Sequence, residues 1–376
     1  MVSVQPLNVA IVGAGIGGVT AAIALRRSGH RVQVFEASQT KTEIGVGVAV
    51  QGNAQRILQQ FGFSRDNLRP VDWEGTVVFD AKNGIGTTRP WQFARPDEPR
   101  SALCHRVDLH DELQRLALGE GEGTPVELHL GRKVVACDPE AGTVTFSNGE
   151  IVHADVVIGA DGPALSAMLS TLPRLGVTMF RCLLDPSTLN ESTDLEWLTE
   201  GILGARSIIS REEALRMFFM YPCRSRTLIN FGALHVDPEQ EGPDWTHNAT
   251  LDEVRAKFHD FNPKFLRILD LSPRSPILKW RLRALPALPT WIRARAALLG
   301  DSAHGTVPML GQAAAMAIED AAVLGCLLPL GTTREDVPAR LEAYQKLRKD
   351  RGRIRRSRVR LAGSGAIETW AVYEIP

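Results

Sequence analysis

The stretch LNVAIVGAGIGGVTAAIALRRSGHRVQVFE, residues 7–36, predicts a strand, a glycine-rich turn, a helix and a second strand. An apolar run at Leu7–Val12 is followed without a gap by GAGIGG at 13–18. Apolar residues then recur at helical spacing, and Gly29 is placed to end the helix, since glycine readily adopts a left-handed conformation. A second apolar strand at Arg31–Phe35 completes the unit. This order of elements predicts a Rossmann-like α/β fold.

The glycines of this turn and the acidic residue after the second strand predict a dinucleotide site. Gly13 allows the tight turn, Gly15 lets the backbone approach a pyrophosphate, and Gly18 lets helix and strand pack closely. The helix that follows points its N-terminal N–H groups at the same phosphate. Glu36 stands where a carboxylate would accept hydrogen bonds from a ribose and repel a 2′-phosphate. NADP is therefore disfavoured, whereas FAD and NAD both remain open.

Composition sets broad limits on the class of protein. The chain has 376 residues, 44% of them hydrophobic and 23% charged, which suits a globular enzyme with two domains or one large domain carrying an insertion. Its 43 basic and 43 acidic residues give a net charge of zero, so no nucleic-acid partner is indicated. A basic segment at Lys346–Arg360 is interpreted as a solvated helix face that pairs with acidic loops.

Five widely spaced cysteines without a CxxC pair indicate a reducing, cytoplasmic setting and argue against a disulfide framework or a metal site. The first strand begins so close to the N-terminus that no signal peptide is expected. The longest apolar run, Ala313–Leu330, is interrupted by Glu319 and Asp320, so no transmembrane segment is expected either. The oligomeric state stays open.

Two further segments combine a strand with a glycine turn. A predicted strand at Ile151–Ile158 leads into GADG at 159–162, and another at Arg295–Leu299 leads into GDSAH at 300–304. Asp301 ends this last strand, where its carboxylate can accept hydrogen bonds from sugar-type hydroxyls. In the alanine-rich helix that follows, small side chains would let another backbone or a flat ring approach closely, and the free N-terminal N–H groups would stabilise negative charge.

Together, GAGIGG with Glu36, GADG and GDSAH resemble the three signatures of the single-component FAD-dependent aromatic hydroxylases, and they occur in the right order over nearly the whole chain. Three intermediate segments are similar to the salicylate-hydroxylase-like branch: EIGVGVAVQGNAQRIL at 43–58, HRVDLHDEL at 105–113 and YPCRSRTLINF at 221–231. The resemblance implies that FAD is the dinucleotide.

The resemblance also implies roles for individual residues that contact FAD. Those residues are Glu36 at the adenosine ribose, Gly47 along the cofactor, Arg106 at its phosphate or ribityl region, Asp161 beside FAD and nicotinamide, Asp301 at the ribityl chain, and Pro308 with Gly311–Ala314 at the edge of the flavin ring.

In the substrate domain, Arg181 in FRCLL and Tyr221 in YPCR match an arginine and a tyrosine that the resemblance implies in catalysis. An arginine is a permanent charge that can stabilise a phenolate or a carboxylate. A tyrosine hydroxyl can hydrogen-bond the reacting oxygen or relay its proton. The alternatives are an ordinary salt bridge for Arg181 and a core position for Tyr221. His304 is interpreted as a packed, hydrogen-bonded histidine rather than a catalytic base.

The implied activity is hydroxylation of a phenolic or carboxylated aromatic substrate by O2 through a flavin C4a-hydroperoxide, with NAD(P)H as a transient co-substrate. No second GxGxxG unit is present to hold a pyridine nucleotide. One alternative is epoxidation or oxidative dearomatisation in a biosynthetic pathway on the same scaffold. Another is a flavin-binding protein with impaired catalysis, because Met168-Leu169 stand near the position of the family's arginine and Ala313 replaces its glycine.

The positions of the motifs predict a discontinuous architecture, since all three must meet at one cofactor. The FAD-binding domain is predicted at 1–75, 100–165 and 286–376, and the substrate-binding region at 76–99 and 166–285. Alternating apolar runs at Leu215–Tyr221 and Thr227–Leu234 predict that the inserted region is an antiparallel sheet whose face covers the flavin.

Overall fold

The glycine-rich stretch folds as its sequence predicts, with β1 at Asn8–Val12, α1 at Ile16–Arg27 and β2 at Arg31–Phe35. The two strands pair in parallel, and Gly29 has a φ of +88° directly after the helix. This computed structural model describes residues 5–40, 46–91, 98–162, 174–188, 195–210, 212, 214–237, 246–283, 285–305 and 311–357.

The remaining elements follow in chain order. The strands are β3 (Gly47–Val50), β4 (Val71–Asp72), β5 (Gly75–Asp80), β6 (Gly86–Pro90), β7 (Ala102–His105), β8 (Glu127–His129), β9 (Val134–Asp138), β10 (Thr143–Phe146), β11 (Ile151–His153), β12 (Val156–Gly159), β13 (Arg174–Leu184), β14 (Gly204–Ser210), β15 (Arg216–Cys223), β16 (Leu228–Val236), β17 (Thr246–Ala249), β18 (Ile277–Arg283), β19 (Ile292–Arg293) and β20 (Ala296–Leu298). The α-helices are α2 (Gly52–Gln60), α3 (Arg106–Leu118), α4 (Leu251–Phe258), α5 (Pro263–Leu266), α6 (Asp301–His304), α7 (Ala313–Leu327) and α8 (Val337–Ser357). Short 3₁₀ helices lie at Asp66–Leu68, Pro186–Thr188, Glu196–Leu198 and Arg267–Asp270.

A six-stranded sheet in the order β19-β20-β12-β1-β2-β8 forms the centre of the first unit. β20, β12, β1, β2 and β8 are parallel, and only the pair β19–β20 is antiparallel. The carboxyl ends of these parallel strands therefore share one edge, where doubly wound sheets bind their ligands. The Rossmann-like prediction is confirmed.

An eight-stranded sheet in the order β17-β18-β13-β16-β15-β14-β5-β6 forms the second unit. Most neighbours pair in an antiparallel manner, as predicted, but β5 and β14 pair in parallel. The difference arises because β5 comes from a separate, earlier part of the chain. The prediction of an inserted antiparallel sheet is therefore correct in kind and wrong for this one pair.

The side chains of this sheet alternate between two faces, as the pleat requires. Phe180, Phe218 and Phe231 point to one side, where they pack with Phe258 and Phe265 from the covering helices α4 and α5. We call this the aromatic face. The opposite face carries residues of the same three strands that are an odd number of positions removed: Met179, Arg181, Met217, Tyr221 and Asn230. We call it the site face.

Two small sheets complete the fold: β3-β7-β4 and β11-β10-β9. The single strand predicted at Ile151–Ile158 is wrong, since β11 and β12 belong to different sheets. The break lies at Asp155, whose backbone N–H donates to Asn8 O at 2.8 Å and whose carboxylate accepts from Asn8 N at 2.8 Å. Asp155 thereby turns the chain from one sheet into the other, which the uniform apolar pattern concealed.

The alanine-rich helix α7 packs against α1 at short range. A Cβ at Gly325 would lie 2.9 Å from Ala24 Cβ, and a Cβ at Gly17 would lie 3.1 Å from Ala317 Cβ. The small residues therefore allow another helix backbone to approach, which was one of the two alternatives from the sequence. Asp301 begins α6 and does not end a strand, because β20 stops at Leu298.

The described part of the basic segment lies in α8, and the predicted pairing with acidic loops is wrong for its Arg348 and Arg351. Arg348 is buried and donates to Asp320 and Glu319, both of which belong to helix α7. Arg351 also pairs with Glu319. Arg348 therefore binds both acidic residues and Arg351 binds one of them, so these charges hold α7 and α8 together. Among the described helices, none is long and apolar enough to cross a bilayer.

Arg26 on α1 is a buried cation that binds main-chain oxygens. Its guanidinium donates to the carbonyls of Leu116, Ala117, Glu122 and Gly123 at 2.9–3.3 Å. These carbonyls lie at the end of α3 and in the loop beyond, where a helix leaves its last oxygens without partners.

We expect Arg26→Met to lower the free energy of unfolding by about 3 kcal/mol, because it strands several buried acceptors. Urea unfolding followed by circular dichroism measures this loss. The matched control is Arg27→Met, which removes a partly exposed ion pair with Glu122 and should cost less than about 1 kcal/mol. Equal losses in the two variants would contradict the explanation.

Candidate active site

The glycine turn and Glu36 are joined by backbone hydrogen bonds. Gly13 has a φ of +101°, and its N–H donates to Phe35 O at 2.8 Å. The Glu36 carboxylate accepts from Ala14 N at 2.9 Å and from Ser38 N at 2.8 Å. This fixes the carboxylate at the end of β2, next to the N-terminus of α1. The predicted contact of Glu36 with a ribose stays a prediction.

Gly15 and Gly18 differ in what a side chain would meet. A Cβ at Gly18 would lie 2.0 Å from Gly13 O, so the turn can pack on the helix only with glycine there. A Cβ at Gly15 would have nothing within 4 Å. The protein itself does not require glycine at this position. The open space at the N-terminus of α1 is the place predicted for a pyrophosphate.

The structure brings the three glycine motifs together. A Cβ at Gly13 would lie 2.6 Å from both Ala160 O and Asp161 Cα of the GADG turn. Ser302 Oγ of the GDSAH turn in turn lies 3.4 Å from Asp161 Oδ1. Asp301 itself is exposed at the first position of α6. The predicted convergence of segments more than 100 residues apart is therefore observed at the carboxyl edge of the six-stranded sheet.

Gly47 forms the junction between the two units. Its N–H donates to Asn230 Oδ1 at 2.8 Å, and its carbonyl accepts from Arg181 Nη2 at 3.3 Å. A Cβ at Gly47 would lie 2.6 Å from both Tyr221 Cε2 and Asn230 Cβ. The N–H and the carbonyl of Gly47 are thus both hydrogen-bonded to side chains on the site face of the eight-stranded sheet. The structure therefore places the predicted catalytic pair Arg181 and Tyr221 against a predicted FAD-lining residue.

Arg181 lies in a setting that favours an anionic ligand. Its Nε is buried and has no hydrogen-bond partner among the described residues, and its guanidinium lies 5.8 Å from the centre of the Trp280 ring. Burial lowers the pKa of Arg181, Tyr221 opposes this, and the nearby charge of Arg106 lowers it further. The positive charges of Arg181 and Arg106, together with the buried Nε of Arg181, are best compensated by a negatively charged ligand.

Tyr221 is buried beside Arg181. Burial raises the pKa of its phenol, while the positive charge of Arg181 acts in the opposite direction. Tyr221 is therefore a neutral hydrogen-bond donor at ordinary pH and not a phenolate base. Its ring packs with Ala49, Trp73 and Leu103 in a cluster that joins the small β3-β7-β4 sheet to the site face.

The residues before α7 reach the same cluster. Gly311 has a φ of +58°, and a Cβ there would lie 3.4 Å from the Trp73 ring and 3.6 Å from Ala49 Cβ. Gln312 caps α7 and has a buried Oε1 without a hydrogen-bond partner in the described part of the chain. Ala313 and Ala314 begin the helix. Pro308 and Met168-Leu169 lie outside the described residues, so their predicted roles stay predictions.

A salt-bridged latch, made of Asp108, Arg69 and Arg224, connects helix α3 to the β15–β16 hairpin. The nearly buried Asp108 accepts from Arg224 at 2.8 and 3.0 Å and from Arg69 at 2.7 Å. Arg224, Ser225 and Arg226 all have positive φ, an unusual run for residues other than glycine. Because α3 begins at Arg106 and β15 carries Tyr221, the latch links the two sides of the site.

Sequence reasoning did not identify Asn230, Trp73 or Asp108. A signal for Asn230 exists, since it is the one amide in the apolar run LINFGAL of β16. Asp108 lies in HRVDLHDEL, where it resembles an ordinary first-turn acid of a helix. Its partners come from distant segments, and nothing in the sequence pairs them. His304 is confirmed as packed and hydrogen-bonded, with Nε2 2.6 Å from Asp320 Oδ2.

The residues present fit FAD. Gly15 leaves open space for a diphosphate at a helix N-terminus, and Glu36 is fixed at the end of β2. At the other end of the site, the orphaned Gln312 Oε1 and Arg181 Nε can be satisfied by a ligand that reaches between the units. Among the described residues, both regions thus leave space or polar atoms that a bound FAD could occupy or satisfy.

Comparisons with known proteins agree with this geometry. The family profile described as FAD binding domain matches residues 6–355. Hispidin-3-hydroxylase of Neonothopanus nambi is 40% identical over 375 residues, covering 92% of this chain and 86% of the relative. Salicylate hydroxylase of Pseudomonas putida is 30% identical over 373 residues, covering 92% and 82%. The solved structure of Klebsiella pneumoniae HpxO, complexed with FAD and uric acid, is 25% identical with a TM-score of 0.73, covering 93% of this chain and 85% of that one.

Proposed function

The chain belongs to the FAD-binding-domain family of flavoprotein monooxygenases and is an FAD-dependent oxidoreductase, and from this premise we propose that it uses NAD(P)H and O2 to hydroxylate an aromatic substrate that carries a phenol or a carboxylate. The proposal includes the flavin-borne oxygen transfer expected from the sequence. The relatives named as hydroxylases support this class of reaction.

One observation carries the proposal: Arg181, Tyr221 and Asn230 lie on one face of a sheet and contact Gly47 of the cofactor unit. A flat substrate bound there would have a cation on one side and a neutral phenol beside it. The surrounding apolar cluster excludes water, which strengthens both interactions.

Each residue has a distinct task in this proposal. Arg181 stabilises the phenolate or carboxylate of the substrate, which makes a ring more reactive toward an electrophilic oxygen. Tyr221 donates a hydrogen bond to the reacting oxygen and thereby orients it. Asn230 fixes the backbone of Gly47, so that the cofactor side of the site stays in register. Bound FAD supplies the redox chemistry and the activation of O2.

The division of the chain follows the same logic. We propose that 1–75, 100–165 and 286–376 hold the cofactor and that 76–99 and 166–285 cover the substrate. Sheet membership supports this division, since β5 and β6 join the eight-stranded sheet. A cytoplasmic setting is part of the proposal, and it is supported by five cysteines that are all free thiols.

The test is to add salicylate and related hydroxybenzoates to the FAD-loaded protein with NADH or NADPH, and to follow reductant oxidation and oxygen uptake. Isotopically labelled O2 and mass spectrometry then show whether one labelled oxygen atom enters the ring. We expect substrate-dependent oxidation and a product heavier by one labelled oxygen. An epoxide or a dearomatised product would instead support the alternative function, epoxidation or oxidative dearomatisation in a biosynthetic pathway. Loaded protein that consumes no reductant with any aromatic acid or phenol would overturn the proposal.

Tyr221→Phe is expected to lower kcat by about tenfold to a hundredfold, because it removes one positioned donor. Since burial raises the pKa of Tyr221, the wild-type kcat should show no titration of this phenol from about pH 6 to about pH 9. The matched control is Tyr344→Phe on helix α8, which removes a buried hydroxyl that donates to Leu298 O at 2.9 Å. That variant should lose stability and keep kcat; an unchanged kcat in Tyr221→Phe would contradict the role.

A further inference from the structure

Asp320, on helix α7, is an acidic side chain with no exposed surface. Its Oδ2 accepts from Gly300 N at 3.0 Å and lies 2.6 Å from His304 Nε2, while its Oδ1 accepts from Arg348 Nε at 2.6 Å. Burying a carboxylate is costly unless several donors compensate it. Burial raises the pKa of Asp320, but His304 and Arg348 together keep it below its usual range.

Two of these donors lie at the two ends of the GDSAH turn. Gly300, with a φ of +59°, precedes Asp301, and His304 ends the short helix α6. One carboxylate oxygen therefore holds both ends of a five-residue turn. Between them, Ser302 reaches Asp161 of the GADG turn, and Asp301 is exposed at the carboxyl edge of the six-stranded sheet.

The surrounding packing leaves the turn little freedom. The His304 ring is tilted against Trp291 at a centroid distance of 5.2 Å, and a Cβ at Gly352 would lie 3.1 Å from the Trp291 ring and 3.5 Å from His304 Cβ. Glycine at 352 therefore lets α8 close over this pair. Asp320 belongs to α7 and pairs with Arg348 of α8, so its hydrogen bonds to Gly300 and His304 fix the turn relative to both helices.

We propose that Asp320 is a positioning residue for FAD, which fixes the 300–304 turn so that Asp301 faces the cofactor at the edge of the sheet. The inference rests on the proposed function only in taking this edge as the FAD site. The geometry supports it because the turn meets the GADG and GAGIGG turns at the edge where parallel sheets bind ligands.

The experiment measures the FAD dissociation constant of the apoprotein by quenching of flavin fluorescence, alongside the thermal unfolding of the same apoprotein. Asp320→Asn keeps the shape but loses the charge, and we expect FAD affinity to fall by about tenfold to a hundredfold. Its matched control is Glu319→Gln, since Glu319 also pairs with Arg348 but its hydrogen bonds in the described part of the chain go to Asn53, Arg348 and Arg351 and not to the turn. The control should stay within about threefold of the wild type.

A second variant covers the case in which Asp320→Asn does not fold. His304→Asn leaves the Asp320–Arg348 pair and removes only one end of the turn, so FAD affinity should fall by about three- to tenfold. If the variants that fold bind FAD as tightly as the wild type but unfold at a lower temperature, Asp320 only stabilises the fold. That result would overturn the proposal. Because FAD binding is measured without substrate, a wild type that binds FAD and hydroxylates nothing would overturn the proposed function alone.

Discussion

Replacing Arg181 by methionine is expected to lower kcat/KM by about a hundredfold to a thousandfold, which corresponds to the loss of one charged donor at a desolvated reaction centre. Methionine keeps most of the length of the side chain and removes the positive charge, which lies 5.8 Å from the centre of the Trp280 ring. It removes the bond to Gly47 O and the buried Nε that the described residues leave unpaired. Steady-state kinetics on the preferred aromatic acid or phenol, with FAD saturating, measure the effect.

The matched control is Lys279→Met. Lys279 lies on β18, the neighbouring strand, but its ammonium lies over Phe180 on the aromatic face. Losing a cation there should alter kcat/KM by less than about twofold, because the sheet separates it from the site. If Arg181→Met and Lys279→Met were equally active, Arg181 would have no part in substrate binding or turnover. Arg181→Lys should restore only part of the activity, since an ammonium cannot reproduce the guanidinium fork.

The second large effect is expected at Gly15, where Gly15→Ala should weaken FAD binding by more than about tenfold while leaving the apoprotein as stable as the wild type. A Cβ at this position meets nothing within 4 Å among the described residues, and the backbone, with φ −70° and ψ 179°, is one that residues other than glycine also adopt. The new methyl group would instead occupy the space predicted for the diphosphate. Fluorescence titration with FAD and thermal unfolding of the apoprotein measure the two quantities.

Gly18→Ala is the contrasting variant. Its Cβ would lie 2.0 Å from Gly13 O, so the turn itself must move and the apoprotein should unfold at a clearly lower temperature. The pair thus separates a glycine that serves the ligand from a glycine that serves the fold. Gly15→Ala with unchanged FAD affinity would show that the diphosphate does not approach α1 as expected.

Sequence predicts this fold best where the pattern is local. The unit from β1 to β2 could be predicted because strand, turn, helix and cap are encoded within 30 consecutive residues. The break at Asp155 could not, because it depends on a bond to Asn8, 147 residues away. The parallel pairing of β5 with β14 is hidden for the same reason, since the two strands are far apart in the chain.

The site follows the same rule. Arg181 and Tyr221 could be named only through a family resemblance, since neither stands in a local pattern that reveals its neighbours. Asn230 and Asp320 matter through contacts with Gly47 and with the GDSAH turn, and such contacts exist only after the chain has folded. Burial also decides whether Tyr221 is a donor or a base, and a sequence does not report burial.

The pleat of the eight-stranded sheet has a consequence for how the protein can change. Phe180 and Phe218 on the aromatic face alternate with Arg181 and Phe219 on the site face, so neighbouring residues of one strand have different roles. Met179, Met217 and Phe219 lie on the same face as Arg181 and Tyr221, so we expect mutations there to change which substrates are accepted while the aromatic packing on the other face is kept. Selection for a new substrate would act on the site face of each strand, whereas selection for a stable protein acts on both faces, since the site face also contains buried packing. We expect a library confined to these three positions to change specificity while the packing of Phe180, Phe218 and Phe231 is kept, at a cost in stability wherever the buried Met179 or Met217 is replaced by a smaller residue.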